Sequence, residues 1–200
     1  MPTTPLRPPI PDSYVVPDTH LAAGEYPGSP PGTSAAARDA KLAAFLDAGA
    51  AAFIDLTGPD DRLAPYAPAL RALAERRGLT VTHEHYSIPD MGVCAAEHMA
   101  AALDAVDAHL AAGRGVYVHC WGGVGRTGTA VGAWLVRHGR SPDAALAEVA
   151  RLFATMSPAK RRRHRGSPQT GGQRDFVRGW AARDPALAGP GRGARAEGGR

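Results

Sequence analysis

One short segment limits what this chain can fold into more than any other. Val116-Tyr117-Val118 is a β-forming run that reads as a central strand, and it passes directly into His119-Cys120. A turn with glycines at 122, 123 and 125 follows. Thr127 to Arg137 then carries Val131, Trp134 and Leu135 at helical spacing. Strand, glycine-rich turn and helix in direct succession are the half-unit of an α/β sheet, and the rest of the chain repeats the alternation.

Ser34 is placed to cap a helix over 35–48, with Leu42, Phe45 and Leu46 on one face and Gly49 as its stop. Residues 52–56 read as a buried strand, 66–77 as a helix and 79–88 as a strand ended by Pro89. Met99, Leu103, Val106 and Leu110 predict a helix over 95–112. Ser141-Pro142 opens another that runs to Met156, and a last helix is expected over 170–182. Seven prolines between Pro8 and Pro31 leave the first 33 residues extended and without helix. The expectation is a single α/β domain with a small, largely parallel central sheet flanked by helices. It covers residues 21–186, after a Pro-rich N-terminal segment (1–20) and before a Gly/Arg/Ala tail (187–200) expected to be disordered.

Composition removes several classes. Hydrophobic residues make up 44% of 200, enough for a core, but forty are alanines, so helices pack small side chains. No apolar run approaches the roughly 20 residues that cross a bilayer, and the N-terminus lacks the layout of a signal peptide. Cys94 and Cys120 cannot build a disulfide framework, and no Cys/His spacing suits zinc. A protein of a reducing, cytoplasmic compartment without a membrane role is expected. The net charge of +4 divides unevenly: residues 158–200 carry +8 and the body −4. The basic run Lys160-Arg161-Arg162-Arg163-His164-Arg165 reads as a solvated loop. Steering of an acidic, phosphorylated partner and contact with nucleic acid are the sharper readings. With no aromatic residue interleaved, single-strand stacking is disfavoured.

The glycine-rich turn carries chemistry. Its flexibility lets successive N–H groups of Trp121, Gly122, Gly123, Val124 and Gly125 converge on one point, and the positive end of the following helix adds to it. Arg126 offers a planar cationic fork suited to two phosphate oxygens. Cys120 lies at the base of this cradle, where N–H dipoles and a guanidinium favour the nucleophilic thiolate. Thr127 can donate its hydroxyl to the sulfur, and His119 is read as orienting the loop rather than acting as the base.

His119-Cys120, five residues, then Arg126-Thr127-Gly128 resembles the signature of the cysteine-dependent protein tyrosine and dual-specificity phosphatases, and the likeness extends from about Gly24 to Trp180. The resemblance implies a tyrosine-phosphatase-like fold and a two-step, metal-independent reaction without cofactor. Cys120 takes the phosphoryl group and water then releases it. It further implies an acid loop, and Ile88-Pro89-Asp90-Met91-Gly92 is similar to the family's Trp-Pro-Asp loop with Ile in place of Trp. Asp90 is then the general acid, although an aspartate beside proline is also an ordinary turn residue. Asp55 and Asp60-Asp61 are weaker acid candidates. Gln169-Thr170-Gly171-Gly172-Gln173 resembles the glutamine loop that places the attacking water. The same residues also read as an N-cap with its capping-box partner. Gly24-Glu25-Tyr26-Pro27-Gly28 looks like the entry segment of small bacterial members. Cys94 is available either as a packed cysteine or as a disulfide partner for Cys120. The expected partner is a phosphorylated protein or peptide. The alternatives are the same chemistry on a phosphoinositide, an inositol phosphate or an RNA 5′-triphosphate, or an inactive phosphate-binding module. Phosphoinositide enzymes commonly carry lysines in the five-residue loop, and this loop has none.

Overall fold

The computed structural model describes residues 6–187. Five strands form one sheet: β1 (Ser13–Val15), β2 (Leu21–Gly24), β3 (Ala50–Asp55), β4 (Thr82–His85) and β5 (Gly115–His119). Their order is β1-β2-β5-β3-β4, parallel throughout except for the antiparallel β1–β2 pair at one edge. The helices are α1 (Ala35–Asp47), α2 (Ala67–Arg76), α3 (Ala96–Ala111), α4 (Gly125–Arg137), α5 (Pro142–Phe153), α6 (Pro158–Arg163), α7 (Gly171–Arg178) and α8 (Trp180–Arg183), with one 3₁₀ turn at Pro59–Asp61. None of them is long and apolar enough to cross a membrane. The single-domain α/β architecture with a mostly parallel sheet agrees with the sequence expectation.

Alternation along the strands sorts the core into two layers. Val116 and Val118 of β5, with Ala52 and Ile54 of β3, face one cluster that α3, α4, α5 and α7 cover. Tyr117 and Phe53 face the other, under α1 and α2, where Leu42, Phe45 and Leu70 are buried. Both faces of β3 and β5 are thus sealed, which is why these strands read as continuous apolar runs.

Several elements depart from the sequence reading. The proline-rich start hides β1 and β2, because three- and four-residue strands between prolines carry too little pattern to register. Pro17 sits in the connecting turn, closed by Val16 N–H donating to the Leu21 carbonyl. The expected strand over 79–88 contracts to β4. The C-terminal helix breaks at Gly179 into α7 and α8, and the basic run forms α6 instead of a loop. Of the expected tail, residues 188–200 lie outside the described residues.

Candidate active site

The residues expected to form a phosphate loop, Trp121 to Arg126, lie at the carboxyl end of β5, the central strand, flanked by the ends of β2 and β3. Gly24 and Asp55 stand on either side of His119 in register. Ligand crevices of open α/β sheets form at such strand ends.

The loop's shape follows from where its carbonyls go. His119 Nδ1–H donates to the Cys120 carbonyl at 3.3 Å. Trp121's carbonyl accepts from Tyr26 N–H at 3.0 Å. Gly122's accepts from Lys160 Nζ at 3.1 Å. Val124's accepts from Ser167 Oγ at 2.7 Å and from Gly128 N–H. With these oxygens turned outward, none of the N–H groups from Trp121 to Arg126 donates to a backbone carbonyl of the described residues, the arrangement an anion nest requires. Gly123 is required twice over. Its φ is +70°, and a Cβ there would lie 2.3 Å from the Gly24 backbone. Gly24-Glu25-Tyr26, expected only as an entry turn, is therefore one wall of the loop. Lys160, expected in solvent, is buried and clamps Glu25 and Gly122 together.

Arg126 is buried, and residues from two segments converge on its fork. Asp61 takes it end-on, Oδ2 to Nη1 at 2.6 Å and Oδ1 to Nη2 at 2.9 Å. Asp90 shares Nη2 at 2.9 Å, and the Ile88 carbonyl accepts from Nη1 at 3.1 Å. Asp90 and Arg126, 36 residues apart in sequence, are thus brought together. Ile88, in the place of the family's Trp, packs into the core and offers its carbonyl to the arginine. Asp61 is a poor acid. Burial opposes its charge, but Arg126 and the Gly58 N–H hold the carboxyl below the usual range. It serves instead as the anchor of the arginine, a role hidden in sequence because nothing local separates Asp61 from its exposed neighbour Asp60. Two buried donors here have no partner among the described residues, Arg126 Nε and Thr127 Oγ1. Orphaned buried donors are rare unless a site needs them.

His119 is fully buried, with Nε2 2.7 Å from the Tyr66 hydroxyl. Since Nδ1 donates to Cys120, Nε2 accepts from Tyr66 and the ring is neutral. Burial lowers its pKa to about 4. Asp55, the other acid candidate, is equally committed. Burial opposes its charge, yet His119, His83 and Thr57 hold the carboxyl well below its ordinary range.

Gln173 is fully buried against Gly125. Its Oε1 accepts from the backbone N–H of Gln169 and Thr170, and its Nε2 donates to the Gly92 carbonyl of the acid loop at 3.1 Å. Thr170 caps α7 and contacts the Met91 carbonyl at 3.4 Å. The capping box is present, and it doubles as a strap across the acid loop. Gln169 enters through its backbone. Cys94 and Cys120 are both free thiols, and burial pushes the Cys94 thiol up to about 11.

A family model described as "Tc-R-P: Polymorphic toxin system, DSP-PTPase phosphatase" matches residues 28–140. Among solved structures, Tk-PTP in its active form is 25% identical with a TM-score of 0.59, covering 86% of this chain and 98% of its own. Kinase-associated phosphatase is 18% identical with a TM-score of 0.62, over 84% and 88%. PTPMT1 in complex with PI(5)P is 20% identical with a TM-score of 0.59, over 86% and 98%. No curated protein matches the sequence.

Proposed function

The chain belongs to the DSP-PTPase phosphatase family of polymorphic toxin systems, and on that premise we propose that it hydrolyses phosphotyrosine, and secondarily phosphoserine or phosphothreonine, through a cysteinyl-phosphate intermediate. The observation that carries this reading is the shared Nη2 of Arg126. Asp90 Oδ1 lies 2.9 Å from this nitrogen, which supports reading it as the acid beside a phosphoryl group held by the same fork.

The chemistry follows from that geometry. The nest of N–H groups and Arg126 hold the non-bridging oxygens, whose charge grows in the transition state. The Cys120 thiolate attacks phosphorus while the P–O bond to the leaving group breaks. That oxygen takes the proton of the Asp90 carboxylic acid. Asp90, now a carboxylate, removes a proton from water as the water oxygen attacks phosphorus. The S–P bond breaks, inorganic phosphate leaves and the thiolate returns. The phosphoryl group and Asp90 compete for one hydrogen of Nη2, so substrate entry frees the carboxyl beside the leaving oxygen. Thr127 donates to the departing sulfur. The reaction belongs in a reducing compartment, where Cys120 stays a thiol.

The test is hydrolysis of an aryl phosphate and a phosphotyrosyl peptide with a chelator present. Activity is expected to survive chelation and to vanish in Cys120→Ser. In Asp90→Asn it should fall by about 10²- to 10⁴-fold, the usual contribution of a general acid. Equal turnover by wild type and Cys120→Ser would overturn the reading.

A further inference from the structure

Beside the phosphate loop runs a groove of about 330 Å³ whose walls include Trp121, Pro30, Glu25, Lys41, Asp61 and Arg62. Trp121 is 55% exposed, directly after the nucleophile in sequence, and offers a flat apolar wall at the loop's mouth. Most charges along the groove are already matched. Asp61 is bound by Arg126, and Glu25 by Lys160 and Lys41. Lys41 also donates to the Tyr26 and Gly28 carbonyls. Arg62 alone of these carries an exposed guanidinium that no described residue pairs.

Arg62 also occupies a costly place. It ends the 3₁₀ turn in the left-handed region, at φ 52°, where glycine or asparagine is the comfortable choice. The turn needs that conformation because Asp61, one residue earlier, must cap Gly58 and reach Arg126. A strained arginine with a free head group, on the rim of a site that binds phosphate, favours function over folding.

We propose that Arg62 and Trp121 form a second subsite that selects an aryl phosphate accompanied by a neighbouring carboxylate, as in a phosphotyrosyl peptide flanked by Asp or Glu. The inference rests on the phosphatase reading above. The phosphorylated ring lies against the indole, and the adjacent acidic side chain meets the guanidinium, whose fork matches a carboxylate bidentately.

The measurement is kcat/KM on paired phosphotyrosyl peptides with Asp/Glu or Asn/Gln beside the phosphorylated residue, for wild type and Arg62→Gly. Wild type should favour the acidic peptide by about tenfold, the scale of one partly exposed charge-assisted contact, chiefly through KM and less so at high salt. In Arg62→Gly that ratio should fall to near one, while the melting temperature stays level or rises because the left-handed strain is relieved. Trp121→Ala should raise KM for both peptides. An acidic preference that persists in Arg62→Gly, or none in wild type, would overturn the subsite. Faster turnover of a multiply phosphorylated inositol than of the acidic peptide would overturn the aryl occupant. Wild type inert on both peptides and on a small aryl phosphate would instead bring down the phosphatase reading, and the subsite with it.

Discussion

Asp61 shows how a residue can matter without taking part in the chemistry. Its side chain is 3% exposed, held by Gly58 N–H and both terminal nitrogens of Arg126. This end-on grip engages both terminal nitrogens and leaves Nε a buried donor without a partner among the described residues. Asp61→Asn removes the charge and one of the two acceptors. We expect kcat/KM to fall roughly 10- to 100-fold, the range for losing charged hydrogen bonds, with weaker inhibition by inorganic phosphate. The pH profile separates grip from acid catalysis. Its basic limb should persist in Asp61→Asn and disappear in Asp90→Asn, and Asp61→Glu should restore part of the activity.

At the scale of elements, the loop between β4 and α3 is set by α7. Met91 stands at φ 59°, and its carbonyl and that of Gly92 are taken by Thr170 and Gln173. The Gln173 side-chain oxygen accepts two backbone N–H groups and one amide hydrogen goes to Gly92, so its contacts are those of a strap across the loop that carries Asp90. Gln173→Ala should let Asp90 wander. The first chemical step should slow about tenfold for a poor leaving group, which needs the proton, and less for a good one. Were Gln173 instead to place the attacking water, breakdown of the intermediate would slow equally for every leaving group, with a burst of released alcohol. Rapid-mixing kinetics on two aryl phosphates distinguishes the two. Lys160 is the parallel case on the other side of the loop, a member of a basic run drawn inward by Glu25 and Gly122.

Across the whole molecule, acid should unfold the protein in two stages. His119 is buried and neutral, with its pKa lowered to about 4, whereas in the unfolded chain it titrates near 6.5. Between those values the unfolded state binds the extra proton, so stability falls as pH drops from about 6.5 toward 4. Below that, Asp61 and Asp184, both held low by arginines, must also be protonated, and stability falls further. Melting curves from pH 7 to pH 3 should show both declines. A curve flat between pH 6.5 and 4.5 would mean that His119 is protonated in the fold. The Arg137–Asp184 pair, Nε to Oδ2 at 2.7 Å, ties the end of α4 to the chain beyond α8 and places much of the second decline at that junction.

What could be read in the sequence was local. His119 to Gly128 is contiguous, so the strand, the glycine-rich turn and the helix after it were legible from spacing and residue type, with Cys120 and Arg126 as candidate nucleophile and fork. The long helices were legible from their periodicity, and Asp90 stood out as an acid candidate from its proline turn and the family likeness. What the sequence left open depends on contacts between distant segments. Asp61 lies 65 residues from the arginine it holds. Lys160 lies 38 from the glycine carbonyl it clamps, and Gln173 lies 81 from the acid-loop carbonyl it straps. β1 and β2 gain their identity only from pairing, since three or four residues among prolines carry no period of their own. A side chain's type is written in the sequence. Whether a carboxylate serves as acid, anchor or solvated surface is decided by what burial and its neighbours do to its charge, and only the tertiary structure supplies those.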